Sequence, residues 1–185
     1  MRIKRIALTS FTIVMMFVMM FTLTSCNKLK KYNKMVKKST SSVVSLELDI
    51  QMLDQAQLVY GYNNKTTISG ENATVVTTLS NLNANFELET NQQTEQVANV
   101  NRDDLFKINL DSKHLSSFTK EKDVVTCEVA KENLTKVLTN CDASLDLATN
   151  ASLVLTFAEK KLTKVTCTYQ TTTNKTVVIN ATYTY

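Results

Sequence analysis

Apolar and polar residues alternate with a period of two through much of this chain. In Val44-Ser45-Leu46-Glu47-Leu48-Asp49-Ile50 the even positions are apolar and the odd ones polar, which gives a strand one face for a core and one for water. Similar alternation, or enrichment in β-branched residues, recurs at 57–62, 65–69, 73–79 and 85–90. The second half is clearer. Val125, Cys127 and Val129 share a face, as do Leu153, Leu155 and Phe157, then Val165, Cys167 and Tyr169, and finally Val177, Ile179, Ala181, Tyr183 and Tyr185. The loops at 159–161 and 171–175 are short enough for hairpins. Residues 151–185 are therefore predicted as a three-stranded meander.

A helical period shows in three places. Leu29, Tyr32 and Val36 fall near one face of a short helix over 27–38, and Leu134, Val137 and Leu138 have the spacing of a helix over 131–138. Residues 102–110 are ambiguous. Asn101 is placed to cap a helix with Asp103 and Asp104 in its first turn, yet Phe106, Ile108 and Leu110 fit a strand equally well. The fold class is mainly β with minor α: a curved antiparallel sheet or half-barrel carrying one or two short helices, with a β-sandwich as the competing layout.

The N-terminus has a different pattern. Arg2, Lys4 and Arg5 precede an apolar run densest from Ile13 to Phe21, followed by Leu23-Thr24-Ser25-Cys26. Positive residues, an apolar run and small residues before a cut make a secretory signal. The last four residues resemble the lipobox of bacterial lipoproteins, in which an aliphatic residue and two small ones precede the cysteine that takes a diacylglyceryl group. The resemblance covers the first 26 residues. It implies that Leu23, Thr24 and Ser25 are read by the signal peptidase, that residues 1–25 are removed, and that Cys26 carries a fatty-acyl anchor such as palmitate on the extracytoplasmic side of the cell membrane. An uncleaved transmembrane helix is the alternative, weakened by Thr9, Ser10 and Thr12 within the run.

Cleavage removes 25 of 185 residues and leaves 160, a single-domain size. Three of the 21 basic residues and none of the 17 acidic ones leave with the signal, so the mature chain is near neutral at +1. An exported, near-neutral domain argues against nucleic acid as partner. The charge is uneven, because Lys28, Lys30, Lys31, Lys34, Lys37 and Lys38 stand together beside the anchor. Residues 26–42 are read as a Lys-rich tether lying along the membrane or wall, or else as a solvated linker, and 43–185 as one β-rich domain.

A sheet with one apolar face, together with lipidation, is similar to the half-barrel of LolA-type lipoprotein carriers and related lipid-carrying lipoproteins. That likeness is architectural and implies an apolar or amphipathic ligand held against the sheet.

Candidate chemistry is sparse. Cys127 and Cys141 could form a disulfide closing a 15-residue loop, but Cys127 and Cys167 also sit on apolar alternations as small core residues, which is the preferred reading. Cysteine spacing and the single histidine, His114, do not suit a zinc site or a histidine-based triad. Asp103 and Asp104 are adjacent and point apart rather than flanking one bond. Gly61 and Gly70 are the two glycines of the chain, so there is no glycine-rich phosphate loop. The Asn-x-Ser/Thr triplets reflect an Asn- and Thr-rich composition in a chain whose signal reads bacterial.

No metal or cofactor is expected. The leading functional expectation is a non-enzymatic binding lipoprotein whose sheet encloses an amphipathic ligand, with Phe86, Phe157, Tyr169 and Tyr183 lining the cavity. The alternative is a surface adhesion or structural module contacting an envelope protein. An enzyme with an unrecognised carboxylate site ranks third.

Overall fold

A computed structural model describes residues 29–141 and 146–185. The expected signal with Leu23, Thr24 and Ser25, and Cys26, the expected lipidation residue, lie outside the described residues. Among the described residues the chain is mainly β, with one curved, open antiparallel sheet of nine strands. The strands are β1 (Ser45–Asp54), β2 (Gln57–Ser69), β3 (Asn72–Leu82), β4 (Leu88–Val97), β6 (Leu115–Glu121), β7 (Val124–Val129), β9 (Ala151–Ala158), β10 (Lys161–Gln170) and β11 (Thr176–Thr184). Two short strands, β5 (Lys107–Ile108) and β8 (Leu138–Thr139), pair separately. The sheet order is β4-β3-β2-β1-β11-β10-β9-β7-β6. The first and last strands thus meet at the centre, and the predicted meander of 151–185 forms as β9-β10-β11.

One row of paired residues crosses every strand of the sheet. Phe118 pairs with Cys127, Cys127 with Leu153, Leu153 with Cys167, Cys167 with Ile179, and Ile179 with Ile50. The row continues through Tyr62 and Leu79 to Asn91. Side chains of such a row project to the same face. From Cys127 to Ile50 they are buried, Tyr62 is half-buried, and Leu79 and Asn91 are exposed. The core therefore covers one half of the sheet, and β3 and β4 extend beyond it as a wing.

What covers the core face is a helix and a crossover. Helix α1 spans residues 29–41 and buries Leu29, Tyr32 and Val36, the three positions its period marks. The Tyr32 ring lies 5.1 Å from Phe157 and 6.2 Å from Phe118, centroid to centroid. Residues 29–41 of the segment expected to be a tether thus pack as a helix on the core. Its last turn closes on hydroxyls: Thr40 donates to the Lys37 carbonyl and Ser41 to that of Lys38, a local bonding that suits Ser and Thr to helix ends.

Because β4 and β6 lie at opposite edges, the chain between them must cross the sheet. It does so over the core face, burying Leu105, Phe106, Ile108 and Leu110. The helix expected over 102–110 is a single 3-10 turn, Arg102–Asp104, which Asn101 caps by accepting from the Asp103 N–H. Beyond it Phe106, Ile108 and Leu110 alternate as a strand would, and β5 forms. The helix expected over 131–138 is a 3-10 turn, Lys131–Asn133, running into α2, Leu134–Val137. The second layer is thus helix and crossover rather than the second sheet of a sandwich.

Candidate functional site

Phe157, Tyr169 and Tyr183 all lie on the core face, where each is at most 4 % exposed, with Phe157 and Tyr183 near the Leu162 end of β10 and Tyr169 at its other end. Phe157 packs against Tyr32, and the Tyr183 hydroxyl donates to the Phe106 carbonyl at 3.4 Å. Burial pushes the Tyr183 phenol well above its ordinary range. Helix α1 and the crossover thus occupy the side of the sheet on which a ligand was expected. Phe86 is not brought to them. It stands 80 % exposed between β3 and β4 with a left-handed φ of 62°. There it lines an open cleft with Met52, Tyr60, Leu82 and Lys175.

The cysteines occupy two settings. Cys127 and Cys167 lie in the same row with Leu153 between them, so two strand spacings, about 10 Å, separate their backbones and rule out a disulfide between them. Cys127 and Cys141 are not bonded to each other either; Cys141 lies near enough to Cys167 to influence its titration. Burial pushes the thiols of Cys127 and Cys167 up to about 12, which keeps them protonated and unreactive. Both fit the core reading.

The polar candidates are scattered. Asp103 is exposed and pairs with Lys107, and Asp104 is exposed at the end of the same turn. His114 ends a separate 3-10 turn, Ser112–His114. Among the described residues no group of three or more His, Cys, Asp or Glu side chains is arranged to hold a metal ion.

A cleft of about 700 Å³ lies between α1 and the β9–β10 hairpin. The helix contributes Lys30, Lys34 and Lys38, which follow one another at four-residue intervals on one stripe, together with Lys31. Like charges at that spacing each destabilise a helix by about 0.2–0.5 kcal/mol. Burying Leu29, Tyr32 and Val36 on the other stripe contributes about 1.5–3 kcal/mol per large apolar side chain, so docking outweighs the repulsion.

The hairpin contributes Glu159, Lys160 and Lys161. Glu159 and Lys160 both have positive φ, 50° and 64°, as a two-residue turn between paired Ala158 and Lys161 requires. The Lys161 ammonium sits 4.5 Å from the ring centroid of Tyr185, whose hydroxyl donates to the Leu162 carbonyl at 2.6 Å. Met35, Ser39 and Ser42 also line the cleft. The one salt bridge among the described residues is Lys107 with Asp103, so none of the cleft lysines has a carboxylate within ion-pair reach there.

The arrangement offers several ammonium groups around a partly apolar surface, which suits an anion attached to an apolar body. The lysine run and the hairpin are each visible in the sequence, but no local pattern joins them. The nearest signal is the Leu29, Tyr32, Val36 stripe, which requires a surface to dock on. No protein-family model matches the chain, and comparison with curated proteins finds no similar sequence.

Proposed function

We propose that this chain is a non-enzymatic, lipid-anchored extracytoplasmic module that acts by surface contact with another envelope protein. Fatty acylation of Cys26 holds it to the outer side of the cell membrane, and the wing of the sheet meets the partner. The observation that carries the reading is β4. Nine of its ten residues are exposed, the tenth is intermediate, and one edge of the strand is unpaired at the end of the sheet. A ten-residue strand with no core face contributes little to stability, and an open edge invites aggregation unless it is used or guarded. Its sequence, LETNQQTEQV, supplies amides, hydroxyls and two glutamates for polar recognition. The filled core face favours contact over carriage of a ligand, which needs space against the sheet.

A photo-activatable residue in place of Gln93 on β4, compared with one in place of Lys136 on α2, tests this in intact cells. The reading expects a discrete cross-linked band from position 93 that is missing from position 136. Identical patterns from the two positions would overturn it.

A further inference from the structure

We propose that the lysine cleft between α1 and the β9–β10 hairpin docks on anionic phospholipid headgroups of the membrane that carries the chain. The inference deepens the anchoring proposal and rests on acylation of Cys26.

Three observations support it. The first is composition: Lys30, Lys31, Lys34 and Lys38 from the helix meet Lys160 and Lys161 from the hairpin around one cleft, with Glu159 as its single acidic residue. No ion pair among the described residues neutralises them. Lysine stems and Met35 give the cleft apolar surface below the ammonium groups, the order of layers that a phospholipid headgroup and its glycerol present.

The second is reach. Lys30 is four residues after Cys26, so their backbones can be no more than about 14 Å apart. The helical stretch from Lys30 to Lys38 is about 12 Å long. A lipid on Cys26 therefore brings the cleft to the headgroup layer when α1 lies along the surface.

The third is polarity. Residues 57–97, which form β2, β3 and β4, carry one lysine against Glu71, Glu87, Glu89 and Glu95. An anionic surface attracts the α1 side and repels the wing, which turns the wing outward. Screening confines this attraction to roughly 10 Å at moderate salt, so the acyl chain adds to it by keeping the cleft within that range.

The test is vesicle co-sedimentation of the chain from residue 26 with Cys26→Ser, which removes the lipid and isolates the cleft. Among the described residues the hydrophobic core runs from Leu29 to Tyr183, all within this form, and circular dichroism verifies that it folds. Binding is expected to vesicles of phosphatidylcholine with about one third phosphatidylglycerol, and not to phosphatidylcholine alone. The triple variant Lys34→Gln, Lys38→Gln, Lys160→Gln is expected to lose roughly a hundredfold in affinity, about fivefold per lysine. Lys65→Gln, Lys113→Gln, Lys136→Gln removes equal charge elsewhere and is expected to change affinity much less.

Equal losses in the two variants, or equal binding to both vesicles, would overturn the proposal. Loss of vesicle binding to about 10 mM inorganic phosphate at constant ionic strength would make the cleft a site for a soluble anion and overturn it too. Fatty-acid labelling of Cys26 in the host reads the anchor independently. A labelled chain without a cleft effect overturns the docking alone, and a cleft effect in an unlabelled chain overturns the anchor alone.

Discussion

The hydroxyl of Ser39 accepts a 2.9 Å hydrogen bond from the backbone N–H of Leu162. Both residues are buried, at 2 % and 0 % exposure. Leu162 stands where the β9–β10 register shifts, and its N–H is taken by the helix. This bond fixes the end of α1 to the hairpin end of β10. Ser39→Ala leaves a buried donor without its partner, at a cost of about 1–3 kcal/mol. Urea denaturation is expected to show that loss as a lower midpoint with an unchanged slope.

Tyr32 gives a second, independent test of the docked helix. Its ring meets Phe118 and Phe157, and it is 8 % exposed. Tyr32→Ala is expected to cost about 3–5 kcal/mol, in line with truncation of other buried aromatics. Lys37→Gln, on the exposed side of the same helix, is expected to stay within about 0.5 kcal/mol of the parent. A tether would give two neutral substitutions in the same denaturation experiment.

Asp49 predicts a pH dependence. It lies on the face of β1 away from the core, with Gln51 donating to its carboxylate at 2.9 Å. Partial burial raises its pKa above the ordinary 3.8, more than hydrogen bonds from Asn63, Gln51 and Asn180 lower it, and Glu47 adds to the rise. The folded state thus holds the proton more tightly than the unfolded state. Asp49's contribution is fully present below pH 3.8 and is lost as pH rises through the higher folded value. Asp49→Asn removes this loss. Its melting temperature is expected to exceed the parent's near pH 7, with the difference shrinking toward about pH 3. A constant difference across that range would contradict the assignment.

How much of the fold could be read in advance depended on whether each segment has a buried face. Residues 151–185 show their alternation because β9 and β11 bury every second side chain and β10 does so from Val165 onward, past its register shift. Strand β4 was expected at 85–90 and forms at Leu88–Val97, since a strand exposed on both faces has no alternation to betray it. Strand β6 escaped notice because a register shift between Leu115 and Ser117 breaks its period of two. Asn63 and Asn64 suggested a break between 57–62 and 65–69. They lie inside the continuous β2 and donate to Glu47 and Thr77 on the neighbouring strands. The cleft was illegible for another reason: it joins residues near 30 to residues near 160, and no local pattern encodes that distance.

Where the chain is held decides what its cleft and its wing can meet. Growth of the host with a labelled fatty acid, followed by immunoprecipitation, measures this directly. The parent chain is expected to carry the label and to sediment with membranes, and Cys26→Ala is expected to carry none and to keep its signal uncleaved. Equal labelling of parent and variant, or a processed and unlabelled parent, would contradict the lipid anchor.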